Sequence, residues 1–255
     1  MPLLEDKVCI ITGGCGSVGL ASARRFLAEG ARVMLVDLEA DRLEAAKADL
    51  RPDRIATFIA DVSDQVGVHG YVEAAFERWG AIDVLVSNAG NHGHIGLLES
   101  YDEEAFDRTY RIHVKGAFLA CKYGAPRMRD GGSIIVTSSL AGLHGGDGAG
   151  LNVAYTTFKH AQTGLVRAAA RALAPRGIRV NSQNPGPIDN AFQTEIETRL
   201  NELNGGDLTM ALNKATPLGR HASSDEVANV ALFLASSMSG FVTGHVHVVD
   251  GGLGS

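Results

Sequence analysis

An α/β fold built as one doubly wound parallel sheet is predicted by three features of this 255-residue sequence. Short apolar, β-branched runs alternate with longer helical stretches along the chain. Several of the runs are almost continuously apolar, as strands covered on both faces are. The first run passes directly into a glycine-rich turn that opens a helical stretch. Strand–helix alternation of this kind joins parallel strands by right-handed crossovers and leaves ligand sites at the carboxyl ends of the strands.

Strands are expected at 8–12, 32–37, 55–60, 84–87, 133–137, 179–183 and 245–249. Val8-Cys9-Ile10-Ile11-Thr12 opens the series, and Val33-Met34-Leu35-Val36 and Ile134-Ile135-Val136 repeat its character. Helical periodicity falls between them at 18–29, 66–79, 105–120, 154–174 and 225–235. The stretch from about 191 to 214 breaks the rhythm. It is polar, helical in parts and interrupted at Gly205–Gly206, so it is expected to be a variable substrate loop. No linker, repeat or low-complexity tract divides residues 1–255, and one dinucleotide-binding and catalytic domain is expected.

Composition narrows the function classes. Hydrophobic residues at 45% and charged residues at 20% suit a globular protein with a substantial core. A net charge of -6 opposes an electrostatic grip on nucleic acid or anionic lipid. No apolar run is long enough for a membrane span, and the acidic N-terminus does not resemble a signal peptide. Cys9, Cys15 and Cys121 form no C-x-x-C pair, which suggests neither a disulfide framework nor a zinc knuckle and fits a reducing cytoplasm. Cys15 reads as a small residue in a tight loop, with a stabilised thiolate as the alternative.

The first strand runs into Thr12-Gly13-Gly14-Cys15-Gly16-Ser17-Val18-Gly19. Glycines there let backbone N–H groups approach a pyrophosphate at the positive end of the following helix, the Rossmann arrangement. Asp37 ends the second strand, 18 positions past Gly19. Its carboxylate suits the adenosine ribose hydroxyls and would repel a 2′-phosphate, and the loop supplies no cation to neutralise one. NAD is therefore expected over NADP.

From these motifs onward the sequence resembles the short-chain dehydrogenase/reductase family. The family's T-G-x-x-x-G-x-G loop aligns with Thr12, Gly13, Ser17 and Gly19, so its middle glycine is Ser17 here. A Cβ there either pushes the pyrophosphate away or brings a hydroxyl that caps the helix and reaches a phosphate oxygen; the second is favoured. The resemblance also implies cofactor contacts at Val18, Asp61 and Val62 and at Asn88 and Gly90 of Ser87-Asn88-Ala89-Gly90. Further contacts are implied at Pro185, Gly186, Ile188 and Asn190 of the nicotinamide-cradling segment, where the family often has threonine at the last position. Val242-Thr243-Gly244 and Val249-Asp250-Gly251-Gly252 match the family's C-terminal strand and turn, and a homotetramer is implied.

Tyr155 and Lys159 stand at i and i+4, on one face of an expected helix. The resemblance makes Ser139 the residue that bonds the substrate oxygen, with Ser138 as the alternative. A phenol of pKa about 10 is too weak an acid to serve as a base near neutrality, and a nearby ammonium, with the positive charge of oxidised nicotinamide, brings that pKa down. Tyr155 would then exchange the alcohol proton, Lys159 would also hold the nicotinamide ribose and join Tyr155 in contacting the cofactor, and Ser139 would polarise the substrate oxygen. His113 takes the place of the family's fourth catalytic residue, an asparagine whose backbone carbonyl holds a relay water. A tolerated substitution keeps that carbonyl; alternatively the imidazole joins the relay, its pKa lying near neutrality.

Sixteen positions separate Ser139 from Tyr155, and the extra length falls around Gly145, Gly146, Gly148 and Gly150, with His92, His94 and His144 expected at the pocket mouth. His92-x-His94 lacks a third ligand and His245-x-His247 lies on a strand of alternating faces without an acidic partner, so no metal is expected. The sequence thus reads as an NAD-dependent oxidoreductase acting on a secondary alcohol or ketone, cyclic or terpenoid/steroid-like. Asp37 opposes an acyl-carrier ketoreductase drawing on NADP. The alternative of another class is a catalytically silent NAD-binding regulator on the same fold; the retained Ser139, Tyr155 and Lys159 oppose it and His113 favours it.

Overall fold

The computed structural model describes residues 2–50, 53–145 and 150–255. Seven strands among them form one sheet in the order β3-β2-β1-β4-β5-β6-β7, and every neighbouring pair is parallel. They are β1 (Val8–Thr12), β2 (Arg32–Asp37), β3 (Ile55–Ile59), β4 (Ile82–Ser87), β5 (Met128–Thr137), β6 (Arg179–Pro185) and β7 (Val246–Val249). The helices are α1 (Ser17–Ala28), α2 (Ala40–Asp49), α3 (Gln65–Trp79), α4 (Glu103–Tyr110), α5 (Gly116–Arg127), α6 (Val153–Leu173), α7 (Ala191–Asn204), α8 (Leu208–Ala215) and α9 (Ser224–Ala235).

Alternation along each strand divides the core into two layers. Ile10, Met34 and Val136 pack on one face with Val72 of α3, Ala120 of α5 and Val166 of α6. Cys9, Ile11 and Leu35 pack on the other with Phe26 of α1, Leu43 of α2 and Leu232 of α9. The chain reverses its direction of winding between β1 and β4, so a crevice opens at their carboxyl ends.

Strands β1 and β2 lie where the sequence places them. β5 begins five residues early: Met128 pairs with Ile82, and the register then shifts before Ser133 pairs with Val84, across a polar Arg129-Asp130-Gly131-Gly132 stretch that has no apolar pattern to reveal it. The helix expected at 105–120 runs from Glu103 to Arg127 and contains a π turn at Arg111–Lys115, which holds His113. The irregular stretch near 191–214 resolves into α7 and α8, broken at Gly205 and Gly206 with φ of 71° and 91°. Gly146 and Gly148 of the glycine-rich loop lie outside the described residues.

Candidate active site

The crevice holds a cavity of about 810 Å³. The glycine loop forms its floor at the cofactor end. Gly13 has φ 61°, and a Cβ on it would stand 2.8 Å from Ala89 Cα. A Cβ on Gly19 would collide with the Gly13 carbonyl, so Gly19 lets α1 pack on the loop and does not itself line the cavity. Gly16 is the N-cap of α1, and among the described residues no side chain caps it. The first N–H groups of α1 therefore face the cavity at the positive end of the helix, a setting that fits a pyrophosphate.

Ser17 is the first residue of α1, not its cap, which corrects the expected capping by its hydroxyl, while the side chain still lines the cavity. Its Oγ accepts from Asn190 Nδ2 at 2.9 Å, and Asn190 Oδ1 caps α7 by accepting from Gln193 N–H. Two of the departures from the family pattern are thus bonded to each other across the crevice.

Asp37 Oδ2 accepts from Cys15 N–H at 2.9 Å, and Oδ1 from Leu38 N–H at 2.8 Å. The residue that ends β2 also positions the glycine loop. Burial, reinforced by Asp37, pushes the Cys15 thiol up to about 11, so the stabilised thiolate is excluded. Arg42 of α2 lines the same end and donates to the Cys15 carbonyl at 2.8 Å. Sequence reasoning missed this cation because it sought one in the loop. Asp61, Val62, Val18, Gly90, Pro185, Gly186 and Ile188 all line the cavity. Asn88 lines it too, and its Nδ2 donates to the carbonyls of Thr12 and Gly13, tying β4 to β1 at the crevice.

Tyr155, Lys159, Ser139 and His113 meet at the other end. Lys159 is buried, its Nζ donates to the Thr137 carbonyl at 2.8 Å, and it stands 5.3 Å from the centre of the Tyr155 ring. Burial pulls its pKa down to about 7. Burial likewise raises the Tyr155 phenol, and a hydrogen bond with Ser139 opposes that rise. The expected depression of the phenol calls on the charge of oxidised nicotinamide as well as that of Lys159, and within the protein itself burial is the larger influence on Tyr155. Ser138 also lines the cavity, but its Oγ donates to the Lys159 carbonyl at 2.9 Å and is engaged by the α6 backbone.

His113 is buried with its ring 5.7 Å from that of Tyr155. Its Nε2 lies 2.8 Å from the Asn91 carbonyl and 3.1 Å from the Asn91 N–H. Burial, with the Lys159 charge adding to it, pushes the imidazole well below its ordinary pKa. That corrects the expectation of a group titrating near neutrality. Its backbone carbonyl accepts from Gln162 Nε2 at 2.9 Å, a partner no motif announced.

Of the three loop histidines, His92 pairs with Glu195 at 3.0 Å beside the cavity wall, His94 packs edge-on against Tyr101, and His144 lies against Gly254. His245, just before β7, and His247 within it lie on one side of the chain with rings 4.8 Å apart, so strand alternation does not separate that pair. Among the described residues no cluster of three or more His, Cys, Asp or Glu is placed to hold a metal ion. No described helix is long and apolar enough to cross a membrane.

A parallel sheet with a dinucleotide-shaped crevice, and a tyrosine, lysine and serine converging in it, defines an oxidoreductase of the Rossmann type. The chain belongs to the short-chain dehydrogenase/reductase family. A family model described as enoyl-(acyl carrier protein) reductase matches residues 14–254. Levodione reductase of Leifsonia aquatica is 35% identical over 253 residues, 97% of this chain and 94% of that protein. A crystal structure of levodione reductase superimposes with a TM-score of 0.92 over 98% of both chains. The 3-oxoacyl-[acyl-carrier-protein] reductase of Thermotoga maritima is 35% identical over 98% of each chain. NAD⁺-bound xylitol dehydrogenase shares 32% identity and a TM-score of 0.92, over 98% of this chain and 99% of that one.

Proposed function

We propose that the chain is an NAD-dependent dehydrogenase that interconverts a cyclic, largely apolar secondary alcohol and its ketone. The observation that carries this reading is the convergence of Ser139, Tyr155 and Lys159 at the end of the crevice opposite Asp37. The dinucleotide, when bound, supplies the hydride acceptor or donor. Ser139 Oγ would hold the substrate oxygen against the Tyr155 hydroxyl, and Tyr155 would take or return the hydroxyl proton at that oxygen. Lys159, charged at the lower side of pH 7, would favour the phenolate and anchor the ribose.

Two features support the finer points. Asp37 supports NAD, because a carboxylate at the end of β2 bonds ribose hydroxyls and repels a 2′-phosphate. Phe192, Ile196, Leu200, Leu208 and Leu212 make the far wall apolar, which suits a ring better than a polyol. Homotetrameric assembly in a reducing cytoplasm belongs to the same reading and rests on the family resemblance and three unpaired, buried thiols.

The test is nucleotide turnover, with cyclohexanol, a terpenoid alcohol and xylitol each offered with NAD and with NADP. NADH formation from the cyclic alcohols supports the reading. NADH binding with no turnover of any alcohol would instead point to the silent regulator.

A further inference from the structure

The wall that faces the substrate has a polar interior unlike the rest of its packing. Glu197 of α7 and His221, in the loop before α9, form a 2.7 Å pair whose side chains are 7% and 9% exposed. Gln193 Nε2 donates to the same carboxylate at 2.8 Å, and the Thr209 hydroxyl of α8 donates to its other oxygen. The other ring nitrogen of His221 faces the Asn213 side chain at 2.7 Å. One carboxylate and one imidazole therefore join α7, α8 and the loop. Around them Ile95, Leu151 and Leu200 form a small apolar cluster with Ile196 and Leu208. A buried ionic group costs more than an apolar one of equal volume unless every lone pair is satisfied, so these bonds fix one arrangement of the wall.

The next residue links this network to the cofactor end. Ala222 N–H donates to the Pro187 carbonyl at 2.9 Å, and the Ala222 carbonyl accepts from Asp189 N–H at 2.9 Å. Ile188 and Ala222 form a parallel bridge. His221 is thus carried on a segment bonded to residues 187–189, while Glu197 lies five residues past Phe192 on the same helix, and the Phe192 ring is 6.3 Å from that of Tyr155.

We infer that Glu197 and His221 are positioning residues that transmit the seating of the 187–189 segment against a nicotinamide dinucleotide to the substrate wall formed by α7 and α8. The inference rests on the proposed cofactor site, and it requires the wall to tighten when the nucleotide binds, before any substrate is present.

Amide hydrogen exchange with and without NADH tests it in wild type, His221→Phe and Glu197→Gln. Phenylalanine keeps the ring and loses both bonds; glutamine keeps the volume and loses the charge. In wild type, NADH is expected to slow exchange at 186–190 and throughout 191–215. In His221→Phe the slowing at 186–190 should persist and that at 191–215 should fall at least fivefold, with Glu197→Gln intermediate. KM for cyclohexanol should rise about tenfold in His221→Phe while NADH affinity changes less than twofold, and His221→Gln, whose amide can still donate, should recover most of it. Full protection of 191–215 in folded His221→Phe and Glu197→Gln would overturn the coupling. Absence of protection at 186–190 in wild type would instead overturn the cofactor assignment. Should His221→Phe fail to fold, Glu197→Gln alone decides by the same readout.

Discussion

Asn190 Nδ2 donates to Ser17 Oγ at 2.9 Å, so the start of α7 is fastened to the start of α1 across the phosphate end of the crevice. Each residue departs from the family pattern, and each supplies what the other needs. Breaking the bond from either side should raise the NADH dissociation rate about threefold to tenfold. A neutral hydrogen bond contributes about 0.5–1.5 kcal/mol, which is of that order. Stopped-flow rates for Ser17→Gly, Asn190→Thr and the double variant would form a cycle, and strictly additive effects would sink the idea that the pair acts together.

Catalysis should depend on Tyr155. Replacing it by Phe should leave NADH binding nearly intact and lower kcat by about 10²–10⁴. Ser139→Ala should lose less. Ser138→Ala should act chiefly on stability, since its hydroxyl is spent on the Lys159 carbonyl. Near-normal turnover in Tyr155→Phe would remove the proposed mechanism.

His113 should be replaceable. Its imidazole stays neutral because burial holds its pKa well below the ordinary value, so it adds no limb to the pH–rate profile between pH 6 and 8. Its carbonyl, bonded to Gln162, survives any substitution. His113→Asn is therefore expected to retain kcat within about fivefold, a loss near 1 kcal/mol. A Cβ on Gly90 would meet the imidazole at 2.7 Å. Thus Gly90→Ala should lower Tm more in wild type than in His113→Asn, and equal losses in both would contradict the steric account.

Cofactor choice should move in one step. On the proposed reading, ribose bonds to Asp37 would be worth roughly 1.5–3 kcal/mol each, and its carboxylate would repel a 2′-phosphate. Asp37→Ser removes both effects, and Arg42 already stands at the same end of the cavity. The ratio of kcat/KM for NADP over NAD should rise about a hundredfold in the single variant. Adding Arg42→Ala should reverse part of that rise. A wild-type preference for NADP would overturn the assignment.

Lys159 should cost stability. Its folded pKa of about 7 lies below the unfolded value of 10.5. The unfolded state then holds the extra proton between those values, so stability rises with pH from about 7 to 10.5 and the penalty is complete below pH 7. Lys159→Met should stabilise the inactive protein by about 2 kcal/mol at pH 6, after the loss of the Thr137 bond, and by less at pH 9. Urea unfolding at both pH values checks the sign; a variant equally stabilised at both would refute it.

Local chemistry was enough to place much of this. The apolar runs of β1 and β2 mark themselves because strands covered on both faces admit little else, and Asp37 is legible because it closes such a run at the right distance from the glycine loop. Tyr155 and Lys159 share a helix face by spacing alone. The start of β5 was not legible, since Met128 pairs with Ile82 ahead of a register shift and the Arg129-Asp130-Gly131-Gly132 stretch that follows carries no apolar alternation.

What the sequence determined by itself was the strands, the glycine turn, Asp37 and the Tyr155–Lys159 pairing, because each depends on neighbours within a few positions; the family resemblance added the other candidate residues. Tertiary structure decided the rest. Only folding brings Arg42 beside the glycine loop, Gln162 onto the His113 carbonyl, Asn190 onto Ser17 and His221 onto Glu197, pairs set by the crossing of distant elements. Burial is likewise a property of the packed chain. It turned a histidine expected to titrate near neutrality into a neutral one and brought Lys159 down to about 7, because desolvation penalises a charge according to everything that surrounds it.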